Sequence, residues 1–182
     1  GAIEGTGDAL ASDAPILTAP SYSTEGATEK TAAQMRAILR NANGVAADTV
    51  YVTTDEGAIG FIGANDRAYE GKNAVIVSKG GFLIDDCANI VIRNITLVGP
   101  VVITKSANVT FENVKFVCAD GTAIKPDAES TKLYVKSSRI DASVAAENSA
   151  VDFYLLDSYI SFTANGILDL SAKNLYVRGN RF

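Results

Sequence analysis

Histidine and tryptophan are absent from this chain of 182 residues, and cysteine, proline and methionine are scarce. Without histidine the chain lacks the commonest general base and metal ligand, which disfavours the usual histidine-dependent serine, cysteine and zinc chemistry. The two cysteines, Cys87 and Cys118, are too few and too plainly spaced for a disulfide framework or a zinc site. We therefore predict that both are buried free thiols.

Basic charge and long apolar runs are also in short supply. The chain carries 16 Lys and Arg against 21 Asp and Glu, a net charge of -5, whereas a general nucleic-acid binder needs a dominant positive field. No run of about eighteen apolar residues predicts a membrane span. An export signal, if the natural protein has one, lies upstream of Gly1. With 47% hydrophobic residues, the chain is long enough to bury a single core without disulfides or metals.

Two segments of different character open the chain. Residues 1–28 are rich in Gly, Ala, Ser, Thr and Pro and show no sustained period, which predicts an extended arm. A capping-box pair, Thr31 and Gln34, then introduces apolar side chains at helical spacing: Met35, Ile38, Leu39 and Ala42. We predict one amphipathic helix at about residues 32–42, ended by a left-handed residue in the pair Asn43-Gly44.

A nine-residue pattern recurs five times in the rest of the chain. NIVIRNITL (89–97) is followed by NVTFENVKF, KLYVKSSRI, DFYLLDSYI and NLYVRGNRF, and the first apolar residues of the copies lie 19, 24, 20 and 22 residues apart. Another short apolar strand precedes or separates the copies, at 82–85, 101–104, 122–125, 144–147 and 167–170. Three short strands in each turn of about twenty residues predict an all-β fold, a right-handed parallel β-helix of about five to six turns.

Corner residues and inward columns agree with a solenoid. The corner between second and third strand needs a residue that tolerates positive φ, and it holds Asn94, Asn113, Ser137, Asp157 and Gly179. The inward positions are apolar in every copy: Ile90, Val109, Leu133, Phe153 and Leu175, then Ile92, Phe111, Val135, Leu155 and Val177. We therefore predict one domain over residues 29–182, with its coils at about 49–182.

The helix TAAQMRAILRNANG, the strand DTVYV and the coils with Asn at the corner resemble the pectate-lyase-like right-handed parallel β-helix superfamily, over residues 31–182 and at the level of fold. The resemblance implies that the helix closes the N-terminal end of the solenoid. It also implies that an enzyme of this kind would work on the outer first-strand face, with carboxylates holding calcium and an Arg or Lys as base. No catalytic motif of the family stands at these positions, so no catalytic residue is assigned.

The first-strand face supports two interpretations. Its outward column, aligned by the repeat, is Asp85, Thr104, Lys125, Glu147 and Asp169, so that a lyase-like set would be Asp85, Lys125, Glu147 and Asp169. Because Glu147 beside Lys125 would push the lysine pKa upward, away from what a base needs, we favour a solvated salt-bridge ladder. The adjoining outward column is apolar, and we predict that the arm covers it through Ile16, Leu17 and Tyr22, with a partner chain as the alternative cover. This column consists of Leu83, Val102, Ala123, Ala145 and Ile167.

The outer faces of the second and third strands combine aromatic and basic side chains. Three tyrosines occupy one column, and the neighbouring columns gather six basic residues against one acid. Such rings could stack on sugars while the cations pair with uronate or sulfate groups. The alternative is that stacked rings and alkyl stems simply stabilise the sheet. The predicted ligand-binding residues are Tyr134, Tyr154, Tyr176, Tyr159, Lys115, Arg139, Arg178 and Arg181.

Three classes of function remain open. We favour a secreted or cell-surface module without catalytic activity or cofactor, which binds an acidic polysaccharide or a protein partner through an outer sheet face. The alternatives are a small polysaccharide lyase or glycoside hydrolase, which would need calcium, and a structural or adhesin segment. Nucleic-acid binding and membrane insertion are not expected. Because the last turn ends at Phe182 with bare edges, either the natural chain continues or a second copy stacks there as a homo-oligomer.

Overall fold

The structure is a computed structural model that describes residues 3–6, 15–145, 151–161, 168–169 and 172–182. Within these ranges it contains one α-helix, α1 (Ala32–Arg40), a 3-10 turn (Pro15–Leu17) and fifteen strands. The strands are β1 (Ile3–Thr6), β2 (Thr28–Lys30), β3 (Val50–Thr53), β4 (Ile59–Ile62), β5 (Asn65–Val77), β6 (Phe82–Asp85), β7 (Ala88–Val98), β8 (Val101–Thr104), β9 (Ala107–Pro126), β10 (Lys132–Lys136), β11 (Arg139–Ala145), β12 (Asp152–Leu156), β13 (Tyr159–Ser161), β14 (Leu168–Asp169) and β15 (Asn174–Arg178).

The strands wind into a parallel β-solenoid of about six turns, which confirms the predicted fold class. The predicted steps are confirmed as well, because the first inward residue of each copy pairs with its equivalent in the next turn: Ile90 with Val109, Val109 with Leu133, Leu133 with Phe153, and Phe153 with Leu175. Stacking equivalent positions at the strand spacing lines up the apolar columns into one continuous interior.

That interior, the shaft of the solenoid, is an apolar core that contains several phenylalanines. Phe111 and Phe116 are fully buried and meet edge to face, with ring centroids 5.0 Å apart. Phe82, Phe153 and Ile90 are equally buried. Burying each such side chain contributes about 1.5–3 kcal/mol before conformational entropy is counted. The hydrophobic columns therefore supply most of the force that holds successive turns together.

Helix α1 caps the N-terminal end of the shaft. Its capping box forms as predicted: the Gln34 N–H donates to Thr31 Oγ1 (3.1 Å), and the Thr31 N–H donates to Gln34 Oε1 (2.9 Å). Met35 and Leu39 are buried on its inner face, which packs against β4 and β5. None of the helices in the described residues has the length and apolarity that crossing a bilayer requires.

The predicted end of the helix is wrong. Helix α1 stops at Arg40, and Asn41 leaves it in an extended conformation, with φ -85° and ψ 124°. Gly44 is needed for space, since a Cβ there would collide with the carbonyl oxygen of Ile38. Close packing of the chain against the helix end, rather than a left-handed residue, therefore decides this boundary.

The corner between second and third strand has the predicted geometry at all five positions, with φ between 49° and 68°. Amide side chains join successive corners into a ladder: Asn113 Nδ2 donates to Asn94 Oδ1 (2.9 Å), and Asn94 Nδ2 donates to Glu70 Oε1 (2.9 Å). A second ladder, which the repeat did not predict, links Asn108, Asn89 and Asp66 at the start of the second strand.

Buried serines replace backbone partners where the strand pairing is interrupted. The Ser138 N–H donates to Ser158 Oγ (3.1 Å), and Ser158 Oγ–H donates to the Leu156 carbonyl (2.8 Å). The Val114 N–H donates in the same way to Ser138 Oγ (3.1 Å). Each hydroxyl thus satisfies an amide of the preceding turn that burial would otherwise leave without a partner.

Both cysteines are buried and neither is part of a disulfide, as predicted. The Cys87 thiol donates to the carbonyl of Phe61 (Sγ to O, 3.2 Å). Burial raises the pKa of the Cys87 thiol, and the backbone contacts only partly oppose that shift. Cys87 therefore acts as a packing residue and not as a reactive thiolate.

The described parts of the N-terminal arm contact the outside of the solenoid at three places. Strand β1 pairs in parallel with β15, and β2 pairs with β3. Between them, the Ile16 and Leu17 carbonyls lie against Arg139 on the third-strand face. The predicted cover over the first-strand column is therefore wrong, and Val102 there remains 36% exposed. Strand β1 also pairs with a strand of the last turn, where bare edges had been expected.

Candidate functional site: the tyrosine row

Tyr134, Tyr154 and Tyr176, called here the tyrosine row, stack along the outer face of the second strands. Adjacent ring centroids are 4.2 and 4.3 Å apart, with interplanar angles of 15° and 7°. The three residues occupy equivalent positions of β10, β12 and β15, whose pairing has no register shift. Parallel strands in strict register therefore bring the rings face to face.

This stacking limits how the row can meet a ligand. Both faces of the Tyr154 ring are occupied by its neighbours, and only the two end rings keep an outer face. The outer face of Tyr134 looks toward Thr110, and Tyr176 pairs in register with Glu4 of β1. Ring edges and hydroxyls are what the row presents outward, so sugar stacking on every ring is not compatible with this geometry.

The hydroxyl of Tyr154, the middle ring of the row, stays protonated over the physiological range. Desolvation by burial, with contributions from charge repulsion and hydrogen bonding to Tyr134 and Tyr176, raises the pKa of Tyr154 to about 12. A neutral phenol both donates and accepts a hydrogen bond. The row is therefore a line of three hydroxyl groups that runs along the solenoid axis.

Charged side chains flank the row on both sides. Lys136 and Arg178 belong to the column toward the corner, and the Lys136 ammonium lies 5.8 Å from the Tyr134 ring centroid. Lys132 stands on the other side, in register with Asp152, which accepts a hydrogen bond from Asn174 Nδ2 (2.8 Å).

The column toward the corner is less basic than the sequence suggested. It alternates in charge at its N-terminal end, where Glu70, Arg93, Glu112 and Lys136 follow one another in register and Arg93 Nε lies 3.5 Å from Glu70 Oε1. The alternation stops at Leu156, which separates Lys136 from Arg178. Arg178 is exposed and has no acid in register with it on β12. It is thus the cation of this column that is best placed for an outside anion.

The other predicted ligand residues lie across the corner, on the third-strand face. Lys115, Arg139, Tyr159 and Arg181 form one column in register, so they share a different surface from the tyrosine row. Lys115 lines a cavity of about 210 Å³ together with Pro20 and Ser21 of the arm. The structure therefore divides the predicted site into two groups.

The Arg139 side chain binds the N-terminal arm and is not exposed at the surface. It is 5% exposed, and Nη1 donates to the carbonyls of Ile16 (3.1 Å) and Leu17 (2.9 Å). Nε and Nη2 form a two-pronged ion pair with Asp141, at 2.7 and 2.9 Å. The guanidinium also lies 4.6 Å from the Tyr159 ring centroid. The signal for this docking in the sequence is the short apolar run after Pro15, which was predicted to anchor the arm.

The lyase-like set does not form the column predicted for it. Val102 pairs with Lys125, Val144 pairs with both Ile124 and Leu168, and Ala145 pairs with Asp169. Lys125 is thus displaced by two positions from the alignment with Thr104. The connection before it is longer than in the preceding turn, and β9 continues through it without a break. The sequence TAIK fits the repeat equally well in either register, so the register predicted from periodicity alone was wrong.

Within that set, Asp85 is engaged by its neighbour, because Thr104 Oγ1–H donates to Asp85 Oδ1 (2.7 Å). Glu147 lies outside the described residues. In the described part of the chain, no three Cys, Asp or Glu side chains come together in a group that could hold a metal ion.

Comparison with family models, with curated proteins and with solved structures gives no match to this chain. The site must therefore be interpreted from its own geometry, and the parallel β-solenoid is the level at which the chain is classified.

Proposed function

We propose that this solenoid is a non-catalytic binding module, secreted or displayed at a cell surface, that holds an acidic polysaccharide along the tyrosine row. The observation that carries the proposal is the row itself. Three hydroxyl groups from consecutive turns lie in line at one strand spacing, with ring edges facing outward. A polymer that repeats hydroxyl and carboxylate groups suits a surface that repeats hydrogen-bonding groups along an axis. The resemblance to pectate-lyase-like proteins supports the same ligand class.

The proposed mode of recognition is polar. The raised pKa of Tyr154 keeps its hydroxyl available as a donor to sugar oxygens or carboxylates. Arg178, exposed and next to Leu156, supplies a guanidinium for a carboxylate. Lys136 and Lys132 add positive charge on either side of Tyr134. Ring stacking contributes at the ends of the row alone, because the inner faces are already occupied.

The test is a titration of the protein with polygalacturonate and with a neutral glucan of similar length. We expect binding to the acidic polymer alone, weakened about fivefold by Tyr154→Phe through the loss of one hydrogen bond. Arg178→Gln should weaken binding about tenfold and flatten its dependence on salt.

Tyr159→Phe is the matched control, because it removes a tyrosine hydroxyl on the other side of the corner and should leave affinity unchanged. Equal affinity for the neutral polymer, or equal losses in the Tyr154 and Tyr159 variants, would contradict the proposal. An absence of binding to acidic polymers would leave the row with a purely structural role.

A further inference from the structure

An arginine heads one of the apolar columns of the shaft. Arg67 of β5 pairs in register with Ile90, which is fully buried, and the column continues through apolar residues in each later turn. Arg67 itself is exposed, at the end of the shaft that α1 covers. The helix stops at Arg40, so an opening remains beside the first turn.

That opening is a cleft of about 330 Å³ between the C-terminal end of α1 and the outer face of the second strands. Three arginines from three separate elements line it: Arg40 from α1, Arg67 from β5 and Arg93 from β7. Glu70 is the one acid among the lining residues. Three positive charges and one negative charge leave the cleft with a formal charge of +2, in a chain whose net charge is -5.

The single acid is already shared among several partners. Glu70 lies 3.5 Å from Arg93, accepts hydrogen bonds from Asn94 Nδ2 (2.9 Å), and accepts one from the Lys72 N–H (2.8 Å). It therefore neutralises Arg93 in part and leaves the other two arginines without a counter-charge.

The side chains of Arg40 and Arg67 make no hydrogen bond or ion pair to any described residue. The Arg67 guanidinium carbon lies 5.8 Å from the centroid of the Tyr69 ring, which is a cation–π contact. Attraction to the carbonyl end of α1 could account for basic residues here. That attraction acts between the partial negative charge of the helix end and a nearby cation such as Arg40, so it offsets only part of the charge of two arginines. Two uncompensated guanidiniums facing one cleft repel each other unless an anion lies between them.

We propose that this cleft binds a doubly charged oxyanion of the sulfate or phosphate class, either free or as an ester on a larger molecule. A planar guanidinium offers paired N–H donors that match the oxygens of such groups, and the dianion balances the charge of the cleft. The cleft lies at the opposite end of the solenoid from the tyrosine row, on the same sheet face. Its occupant therefore does not depend on the proposed function of the row.

The test uses sodium sulfate and sodium phosphate at constant ionic strength, balanced with chloride, and follows binding by calorimetry and by the amide and arginine side-chain NMR signals. We expect saturable binding of one anion per chain. Arg67→Gln and Arg40→Gln should each weaken it about tenfold. Arg40 is exposed on the helix, so its variant keeps the fold even if the Arg67 variant does not.

Two further variants separate a binding role from a structural one. Glu70→Gln keeps an acceptor for Asn94 and removes the opposing charge, so anion binding should become about fivefold tighter. Lys173→Gln, which removes an exposed positive charge in the last turn, should leave it unchanged. Equal binding in the Arg40 and Arg67 variants, no gain in the Glu70 variant, or no saturation above the chloride background would overturn the proposal.

Dextran sulfate distinguishes a free anion from an ester. Competition between it and inorganic sulfate supports an ester-bearing ligand, and exclusion of the polymer with retained sulfate binding supports a free anion. Polygalacturonate carries neither group, so its binding should not respond to Arg67→Gln. Failure of this inference can thus be told apart from failure of the proposed function.

Discussion

Replacing Arg139 by methionine should release the arm and cost much of the stability of the solenoid. The side chain is 6% exposed and its partner Asp141 is 20% exposed. The substitution removes two hydrogen bonds to the carbonyls of Ile16 and Leu17 and leaves Asp141 without its counter-charge. Breaking a buried ion pair from one side costs about 3–5 kcal/mol, and the partial exposure of Asp141 places this case near the lower end.

The double variant Arg139→Met/Asp141→Leu separates the cost of the unpaired carboxylate from the cost of the lost hydrogen bonds to the arm. It removes the unpaired carboxylate but does not restore the two hydrogen bonds to the arm. The free energy of unfolding should therefore recover by about 1–2 kcal/mol relative to the single variant. Urea unfolding followed by circular dichroism measures both values. Limited proteolysis should at the same time show faster cleavage within residues 15–27 in both variants.

Lys115→Met is the matched control, because it removes a positive charge from the same column one turn away and should change stability by about 0.5 kcal/mol or less. The reasoning is refuted if Arg139→Met lies within about 1 kcal/mol of the wild type and its arm resists protease as before. In that case Arg139 would be free to serve a ligand after all.

Three further predictions concern the side-chain ladders. Ser158→Ala should lower the free energy of unfolding by about 1–3 kcal/mol in urea titrations, because the buried Ser138 N–H loses its acceptor, while exposed Ser23→Ala should change it by about 0.5 kcal/mol or less. The folded-state pKa of Tyr154 is about 12, above the value of about 10 in unfolded chains, so its contribution is complete below about pH 10 and is lost as the pH rises through about 12; Tyr154→Phe should therefore lose less stability over that interval, and an identical loss would argue against the shift. Asn94→Ala should unfold more easily than Asn94→Gly by about 1 kcal/mol, since both lose the amide ladder but only alanine is strained at a φ of 55°; equal melting curves would count against that strain.

The sequence by itself determined the repeating part of the fold. Inward residues such as Ile90 and Val109 are apolar at a step of about one turn, and parallel stacking puts equivalent residues directly over one another. Corner residues such as Asn94 and the capping box at Thr31 act within a few residues of their own positions. Local pattern and local hydrogen bonds were sufficient there, because each turn repeats the environment of the turn before it.

Tertiary structure alone decided the features that do not repeat. The arm reaches Arg139 across more than a hundred residues of chain, and no period relates the two segments. The register of Lys125 depends on the length of one irregular connection, which hydrophobic alternation does not measure. The mutual stacking of the tyrosine rings and the convergence of Arg40, Arg67 and Arg93 on one cleft depend on side-chain directions and on where α1 ends. Periodicity specifies which residues share a column, whereas the path of a segment between columns is set by packing and charge in three dimensions.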